Sequence, residues 1–187
     1  MIKEEKIRQS VAAILAAIGE DTSREGLKDT PSRVARMYSE LFSGVGLDPA
    51  EAFTALFEDS GESNAVVLRD VSFFSICEHH LLPFYGAAQI GYIPKGKVCG
   101  ASKLIRALEI VARRPQLQER MTSQLADAIQ LGLDCHGVAV IVEAEHMCMT
   151  MRGVRNQGSR IMTSAVRGPF PKGQMSSAEL MNMLRAA

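Results

Sequence analysis

The chain has 187 residues, with 21 basic and 21 acidic side chains, 47% hydrophobic residues and no tryptophan. This composition excludes a disordered tail or a collagen-like chain, and the length fits one domain with a sizeable core. The sequence has no run of 18 uncharged apolar residues, and its charged start, Met1–Lys6, differs from a signal or transit peptide. We therefore expect a cytoplasmic protein that does not enter a membrane.

The charges are distributed unevenly along the chain. Residues 1–64 carry 7 basic and 12 acidic side chains, whereas residues 65–187 carry 14 and 9. The most basic run, 147–178, contains five cationic side chains and no acidic one. Such a run suits a phosphate-bearing partner, although it is equally typical of a solvated face.

The first third of the chain is predicted to be helical. Apolar residues at helical spacing predict a helix over Lys3–Ile18, and Thr30 followed by proline predicts the start of a second helix that ends before Gly44. A capping-box pattern predicts a short third helix over Asp48–Phe57. Residues 58–64 are acidic and contain serine and glycine, so we interpret them as a linker between an N-terminal helical region, 1–64, and the rest of the chain.

The remainder, 65–187, is predicted to be a mixed region with the order strand-strand-helix-helix-strand-strand, joined to the first part in one continuous α+β domain. β-branched and aromatic residues mark the strands, whereas apolar residues at spacings of three and four mark the helices. The predicted elements are strands at Ala65–Ile76 and Ala87–Ile93, helices from Ser102 to Arg114 and from Leu117 to Gly132, and strands at Val138–Glu145 and Arg160–Val166, the last pairing with Cys148–Val154.

Two clusters of cysteine and histidine indicate metal chemistry. Cys77-Glu-His-His80 follows a predicted strand, and His146-Met-Cys148 follows another. Thiolates and imidazoles are ligands that zinc prefers, and Cys-x-x-His is a common ligand spacing. The other two cysteines, Cys99 and Cys135, lie outside these clusters and are interpreted as small core residues.

The number of ligands decides what such a metal does. A structural zinc ion has four protein ligands, whereas a catalytic one has three and keeps a position for water. Two cysteines and one histidine would leave spare imidazoles for acid–base chemistry near neutral pH. Spacing alone leaves open whether His79 or His80 is the ligand.

Between the clusters are residues suited to a nucleotide. Ser102 and Lys103 lie at a predicted helix start with Arg106 one turn later, and with Arg152 they could bind phosphates. Glu119 has two interpretations. It is either a surface charge paired with a neighbouring arginine, or a carboxylate that accepts hydrogen bonds from N1–H and the 2-amino group of guanine.

Four motifs together resemble the signature of GTP cyclohydrolase I. They are Cys77-Glu-His-His-Leu-Leu-Pro-Phe-Tyr-Gly86, Gly100-Ala-Ser-Lys-Leu104, Arg114-Pro-Gln-Leu-Gln-Glu-Arg120, and His146-Met-Cys148 followed by Met151-Arg-Gly-Val154. They occur in the family's order, and the resemblance extends from about Asp29 to Phe170. Cys99 and Ala101 depart from it, since the family usually has bulkier aliphatic residues there.

The resemblance implies a role for each matching residue. It implies zinc bound by Cys77, His80 and Cys148, with His79 and His146 as acid–base groups and Ser102 assisting closure of the new ring. It further implies that Gln118 and Glu119 recognise guanine. The triphosphate would contact Ser102, Lys103, Arg106 and Arg152, together with Arg33 from a neighbouring subunit.

The resemblance also implies a fold and an assembly. The family has the tunnelling fold, in which a four-stranded antiparallel sheet carries two helices and N-terminal helices lie outside. Its members are homodecamers with active sites at subunit interfaces, and ring closure would remove exposed sheet edges. From the short N-terminus we expect the regulatory extension of the animal enzymes to be missing.

The reaction implied is hydrolysis of GTP to 7,8-dihydroneopterin triphosphate and formate, the entry step to folate or pterin synthesis. Two alternatives remain. A tunnelling-fold relative without a hydrolytic metal would act on another purine or pterin, and would be expected to lack the second cysteine, which is Cys148 here. A structural-zinc, nucleic-acid-binding module is disfavoured because aromatic residues make up only 5% of the chain and the Cys/His spacing is not that of a zinc finger.

Overall fold

The computed structural model describes residues 2–58 and 65–185. Its elements, in chain order, are α1 (Glu4–Ala17), α2 (Glu25–Lys28), α3 (Thr30–Leu41), a 3₁₀ helix (Pro49–Ala52), β1 (Leu56–Glu58), β2 (Val66–Cys77), β3 (Pro83–Ile93), β4 (Lys97–Cys99), α4 (Ala101–Ala112), β5 (Pro115–Gln116), α5 (Gln118–Leu133), β6 (Gly137–His146), α6 (Met147–Thr150), β7 (Ile161–Arg167) and α7 (Ser177–Arg185). The α+β prediction is confirmed. No helix in the described ranges is long and apolar enough to span a membrane.

The main sheet has the order β5-β2-β3-β6-β7. Its four long strands are antiparallel, and the two-residue β5 adds a short parallel pairing beside β2. A second, two-stranded sheet joins β1 to β4. The order strand-strand-helix-helix-strand-strand is therefore present for the six long elements of the predicted mixed region.

Helices α4 and α5 cover one face of the main sheet. Alternate side chains of the strands, such as Phe73 and Phe84, meet Leu104 and Leu125 from the helices in a continuous core. The other face is covered over part of its length by α7, whose Leu180 packs in a second, smaller core. Helix α7 was missed in the sequence, although leucine and methionine recur in it at helical spacing.

The N-terminal helices are confirmed in outline. α1 packs against α3, and the additional single-turn helix α2 lies between them in the chain. Asp29, not Thr30, is the N-cap residue of α3. The predicted linker 58–64 lies outside the described residues, apart from Glu58, which ends β1.

The predicted third helix is much shorter than expected. Asp48 caps it by accepting a hydrogen bond from the Ala50 backbone N–H, but only one 3₁₀ turn follows. Phe53 then enters the main core, where it packs so tightly against Gly132 that a Cβ at that glycine would lie 2.3 Å from its ring. The anchored chain continues as strand β1 because Leu56 pairs with Cys99.

The predicted pairing of Arg160–Val166 with Cys148–Val154 is wrong. β7 pairs with β6 instead, with Ala144 opposite Ile161, and Cys148 lies in the single-turn helix α6. Beyond α6, Gly153 and Arg155 both have positive φ angles, of 63° and 51°, outside the range of regular strand conformation. The segment between β6 and β7 is consequently a helical turn followed by a loop. The helix cap also differs, since Gly100 rather than Ser102 precedes α4.

The antiparallel pairing defines two ends of the sheet. At the Cys77 end, β2 stops, β3 begins and β6 stops, with Phe84 opposite His146. At the Tyr92 end, β2 begins and Tyr92 lies opposite Val66 and Val138. Phe84 and Tyr92 are eight residue steps apart along β3, so the ends are roughly 26 Å apart along the strand.

Candidate functional site

The Cys77 end brings together three metal-binding side chains. The ligand atoms of Cys77, His80 and Cys148 all lie within 4.8 Å of one another. Cys77 ends β2 and is buried, whereas His80 lies in the following turn and is exposed. Ligand atoms around one tetrahedral zinc ion are separated by about 3.5–4 Å, so small side-chain rotations would complete the site. Two thiols and one imidazole form a donor set that fits zinc and leaves a fourth position for water.

Backbone hydrogen bonds fix the turn that carries His80. The N–H of Cys77 donates to the carbonyl of Leu82, and the N–H of Leu81 donates to the carbonyl of Cys77, each at 2.9 Å. Leu81 has a positive φ of 52°, an uncommon conformation for a large side chain, so the tight turn is held by these bonds despite local strain.

The two thiols influence each other. Burial, and then the adjacent Cys77, raise the pKa of the Cys148 thiol, while the positive charge of Arg152 lowers it. A bound divalent cation would remove the repulsion between two thiolates. Arg152 follows α6 and is exposed, so its guanidinium can serve both this site and an incoming anion.

His146 lies next to the metal-binding group without belonging to it. It ends β6, and its ring stacks on Phe84 with centroids 4.6 Å apart and planes 4° apart. Burial lowers the pKa of His146, and the negative charge of Glu119 opposes this shift. The imidazole is therefore held in one orientation beside the cluster.

Glu119 lies in the first turn of α5 and is exposed. Among the residues that the structure describes, it forms no ion pair, since the neighbouring Arg113 and Arg120 pair with Glu109 and Glu78. Glu119 is thus a surface charge, as one interpretation expected, but no adjacent arginine pairs with it among the described residues. Its carboxylate stays available at the Cys77 end.

Gln118 precedes Glu119 but points into the protein. Its side chain is 1% exposed, and its Oε1 lies 2.8 Å from Nε2 of His146. Its Nε2 donates to the carbonyls of Val142 and Ile161 and to the hydroxyl of Thr163. These contacts occupy both polar atoms of the side chain.

One ion pair was not anticipated from the sequence. Arg120 pairs with Glu78, which lies between Cys77 and the two histidines, and its Nε also donates to Oε1 of Gln116 at 3.0 Å. The N–H of Glu78 donates to the carbonyl of Gln116. This network links the histidine-bearing turn to the start of α5. Charges 42 residues apart give no pairing signal in a single sequence.

Ser102, Lys103 and Arg106 lie elsewhere. α4 begins at the Tyr92 end, where the N–H of Cys99 donates to the hydroxyl of Tyr92, and ends at the Cys77 end, where Ser75 donates to the carbonyl of Ala112. From Ser102 to Ala112 the helix rises about 15 Å. The three residues line a groove of about 420 Å³ between α4 and the chain after α3, which also contains Arg113.

Two further predicted residues are also exposed. His79 lies beside His80 in the turn after β2, with ring centroids 6.2 Å apart. Arg33 lies on α3, where it approaches Asp29 at 3.8 Å. The structure thus brings Cys77-His80-Cys148, His146, Gln118 and Glu119 together, and does not bring Ser102, Lys103 and Arg106 to them within one chain.

The remaining cysteines are core residues, as expected. Cys135 is 2% exposed and belongs to the main core, where burial raises the pKa of its thiol to about 11. Cys99 is half-buried and packs against the same core.

Comparison with known proteins shows the family of the chain. The model of the GTP cyclohydrolase I family matches residues 7–185. The chain belongs to this family. A GTP cyclohydrolase 1 from Dehalococcoides mccartyi is 56% identical over 187 residues, covering 99% of this chain and 98% of that protein. Those from Halalkalibacterium halodurans and Bacillus subtilis are 57% and 56% identical over 185 residues, covering 98% of this chain and 98% and 97% of theirs.

Membership of the GTP cyclohydrolase I family identifies the chain as an enzyme, a hydrolase. Among solved structures, it is similar to an archaeosine synthase QueF-like protein in the apo form, with a TM-score of 0.46 and 18% identity, over 59% of this chain and 100% of that one. At that level of similarity the match does not establish a shared fold.

Proposed function

We propose that the protein catalyses the zinc-dependent hydrolysis of GTP to 7,8-dihydroneopterin triphosphate and formate, the first step of tetrahydrofolate and pterin biosynthesis. The observation that carries this proposal is the convergence of Cys77, His80 and Cys148 beside His146 in a chain of this family. The presence of Cys148 within reach of Cys77 argues against the alternative of a relative without a hydrolytic metal.

Cys77, His80 and Cys148 would hold the zinc ion. When bound, the ion makes water a nucleophile near neutral pH by lowering its pKa to about 7. The chain's own residues supply the rest. The carboxylate of Glu119 accepts hydrogen bonds from N1–H and the 2-amino group of guanine, which fixes the base. His146 delivers a proton to N7 as the imidazole ring of guanine opens, and His79 with Ser102 assists closure of the new ring.

The proposal includes a second copy of the chain. Ser102 and Lys103 lie about 15 Å along α4 from its end near Cys77, and the groove that they line contains none of Cys77, His146 and Glu119. We therefore assign the triphosphate contacts to Ser102, Lys103 and Arg106 of an adjacent subunit. Arg152 contributes from the first subunit, and Arg33 from a neighbouring one.

Mixed assemblies test this shared site. Cys148→Ser removes a metal ligand and Lys103→Ala removes a phosphate contact, so each variant alone should be inactive or nearly so. Co-expressed, they should regain activity, since some sites combine an intact Cys77 end with an intact α4. The matched control combines Cys148→Ser with His146→Ala. Both changes lie at the Cys77 end, so no site is restored, and equal recovery in both mixtures would reject the shared site.

We further propose that the chain, one continuous domain, forms the ring of the tunnelling fold as a homodecamer. β7 is an edge strand, and on the sheet face away from α4 and α5 Phe74 is 68% exposed and stacks on Tyr85. Sheet edges are usually protected, and ring closure would cover this edge. Sedimentation analysis should give a mass near ten times 20.3 kDa, and a monomer would contradict the ring.

The reaction itself is tested directly. Incubation with GTP should produce the ultraviolet absorbance of a pterin and one formate per GTP, and metal analysis should find one zinc ion per chain. Release of guanosine diphosphate without a pterin, or full turnover after complete removal of metal, would contradict the proposal. Location in the cytoplasm stays a prediction.

A further inference from the structure

Gln118 matches a position that the family resemblance assigns to guanine recognition, but its contacts indicate a different role. The side chain is 1% exposed and makes four polar contacts, all with the protein. Because the side chain is almost completely buried, a substrate could reach its polar atoms only by displacing the protein groups that surround it.

The orientation of the amide follows from its neighbours. The backbone oxygens of Val142 and Ile161, at 3.1 and 2.9 Å, can only accept hydrogen bonds, so the amide atom beside them must be the nitrogen. The other amide atom is therefore Oε1, an acceptor, and it lies 2.8 Å from Nε2 of His146. Nε2 of His146 must then carry a hydrogen.

A closed set of hydroxyl contacts fixes the same orientation independently. Thr122 donates to the backbone carbonyl of Gln118 at 2.8 Å, which uses its only hydrogen. Its contact with Thr163 at 2.6 Å must therefore be donated by Thr163. Having given its hydrogen away, Thr163 can only accept from Nε2 of Gln118 at 3.2 Å. With the amide reversed, Oε1 of Gln118 would face the Thr163 oxygen, which has no hydrogen left to donate, so the contact would not be a hydrogen bond.

We propose that Gln118 is a positioning residue that commits Nε2 of His146 to a fixed hydrogen bond and leaves Nδ1 as the only nitrogen of that ring able to exchange a proton with the substrate. This deepens the proposed function, on which it rests. Stacking on Phe84 holds the ring plane, and the hydrogen bond to Gln118 sets its rotation within that plane. A neutral His146 is then the Nε2–H tautomer alone.

The hydrogen position can be measured without turnover. We suggest nitrogen-15 NMR of the sedimented, zinc-loaded protein with labelled histidine, at a pH where the imidazoles are neutral. The chain has only four histidines, and the signals absent from His146→Ala identify this one. We expect a protonated Nε2 and a bare Nδ1. A protonated Nδ1 in the wild-type protein would overturn the proposal.

Variants separate positioning from substrate contact. In Gln118→Met we expect both tautomers, unchanged zinc content, and a kcat that falls by about 10²-fold while KM changes by less than about threefold. The matched control, Gln116→Met, removes a buried glutamine that does not contact His146 and should leave the tautomer unaltered. A tenfold or larger rise in KM at constant kcat would instead make Gln118 a substrate contact.

A second variant is used if Gln118→Met does not fold, namely Thr163→Val. That variant removes one partner of the amide but keeps both carbonyls, so the Nε2–H tautomer should persist, and its loss would contradict the orientation argument. If the wild-type protein forms no pterin from GTP, the proposed function fails, while the tautomer is still decided by the spectrum.

Discussion

The two ends of the sheet contain the same kinds of residue and differ in what these residues can do. The Cys77 end has two cysteines, three histidines and a turn open to solvent, whereas the Tyr92 end has Cys99, Cys135 and His136. At the Cys77 end the ligand atoms converge within 4.8 Å. At the Tyr92 end the cysteines pack into or against the core. Convergence at an accessible turn, not the presence of cysteine and histidine, distinguishes a metal site from a core.

Replacing one thiol at each end gives the largest expected difference. Cys148→Ser should remove most of the zinc and all detectable ring opening, because a site with three protein ligands loses much of its zinc affinity when one thiolate ligand is removed. Cys135→Ser should keep both. Metal analysis after gel filtration, with the pterin assay, measures the contrast. Equal zinc content in the wild-type protein and Cys148→Ser would refute the ligand assignment.

A substitution of Glu119 tests whether the Cys77 end also recognises guanine. Glu119→Ala should retain zinc and reduce turnover of GTP by about 10⁴-fold, since sites that pair with polar groups of a substrate discriminate to that extent. The control is Glu109→Ala on the groove side of α4, which removes a carboxylate that already pairs with Arg113. Undiminished turnover in Glu119→Ala would show that this carboxylate does not bind guanine.

His146 separates proton transfer from metal binding. His146→Ala should keep its zinc and its oligomeric mass while turnover falls by about 10²–10⁴-fold, the usual contribution of a positioned general acid. The strand β6 ends at His146 and the chain then turns into α6, so His146 and Cys148 belong to different elements. Loss of zinc in parallel with activity would make His146 a ligand.

Much of this arrangement could be predicted from the sequence because it depends on local patterns. Alternating and helical spacings gave six long elements of the mixed region, and tight Cys/His spacing gave the metal group. What failed depends on contacts distant in sequence. The 3₁₀ turn that begins at Pro49 is short because Phe53 packs against Gly132, and β7 pairs with β6 and not with the segment that follows it. The internal role of Gln118 follows from Thr163, 45 residues away.

The ion pair between Glu78 and Arg120 should have a smaller effect. Arg120→Met releases the turn that carries His80 from α5, so we expect zinc affinity to fall by about 10–10²-fold, as for other partners that orient metal ligands. Arg160→Met is the matched control, because it breaks an exposed pair with Glu143 on β6 that does not contact this turn. Competition with a chelator measures both. Equal affinities would show that backbone bonds alone hold the turn.

The last prediction concerns the Tyr92 end and applies only in alkaline solution. Burial raises the pKa of Cys135 from 9.0 to about 11, so folding favours the neutral thiol. Its contribution to stability is complete below pH 9 and is lost as the pH rises towards 11. Two pKa units correspond to about 3 kcal/mol. The difference in unfolding free energy between the wild-type protein and Cys135→Ala should therefore shrink between pH 9 and 10.5.

Urea titrations at one protein concentration measure this difference, since assembly makes apparent stability depend on concentration. A difference that stays constant over this range would mean that the thiol is not buried in the folded protein, and the contrast between the two ends would then rest on the metal site alone.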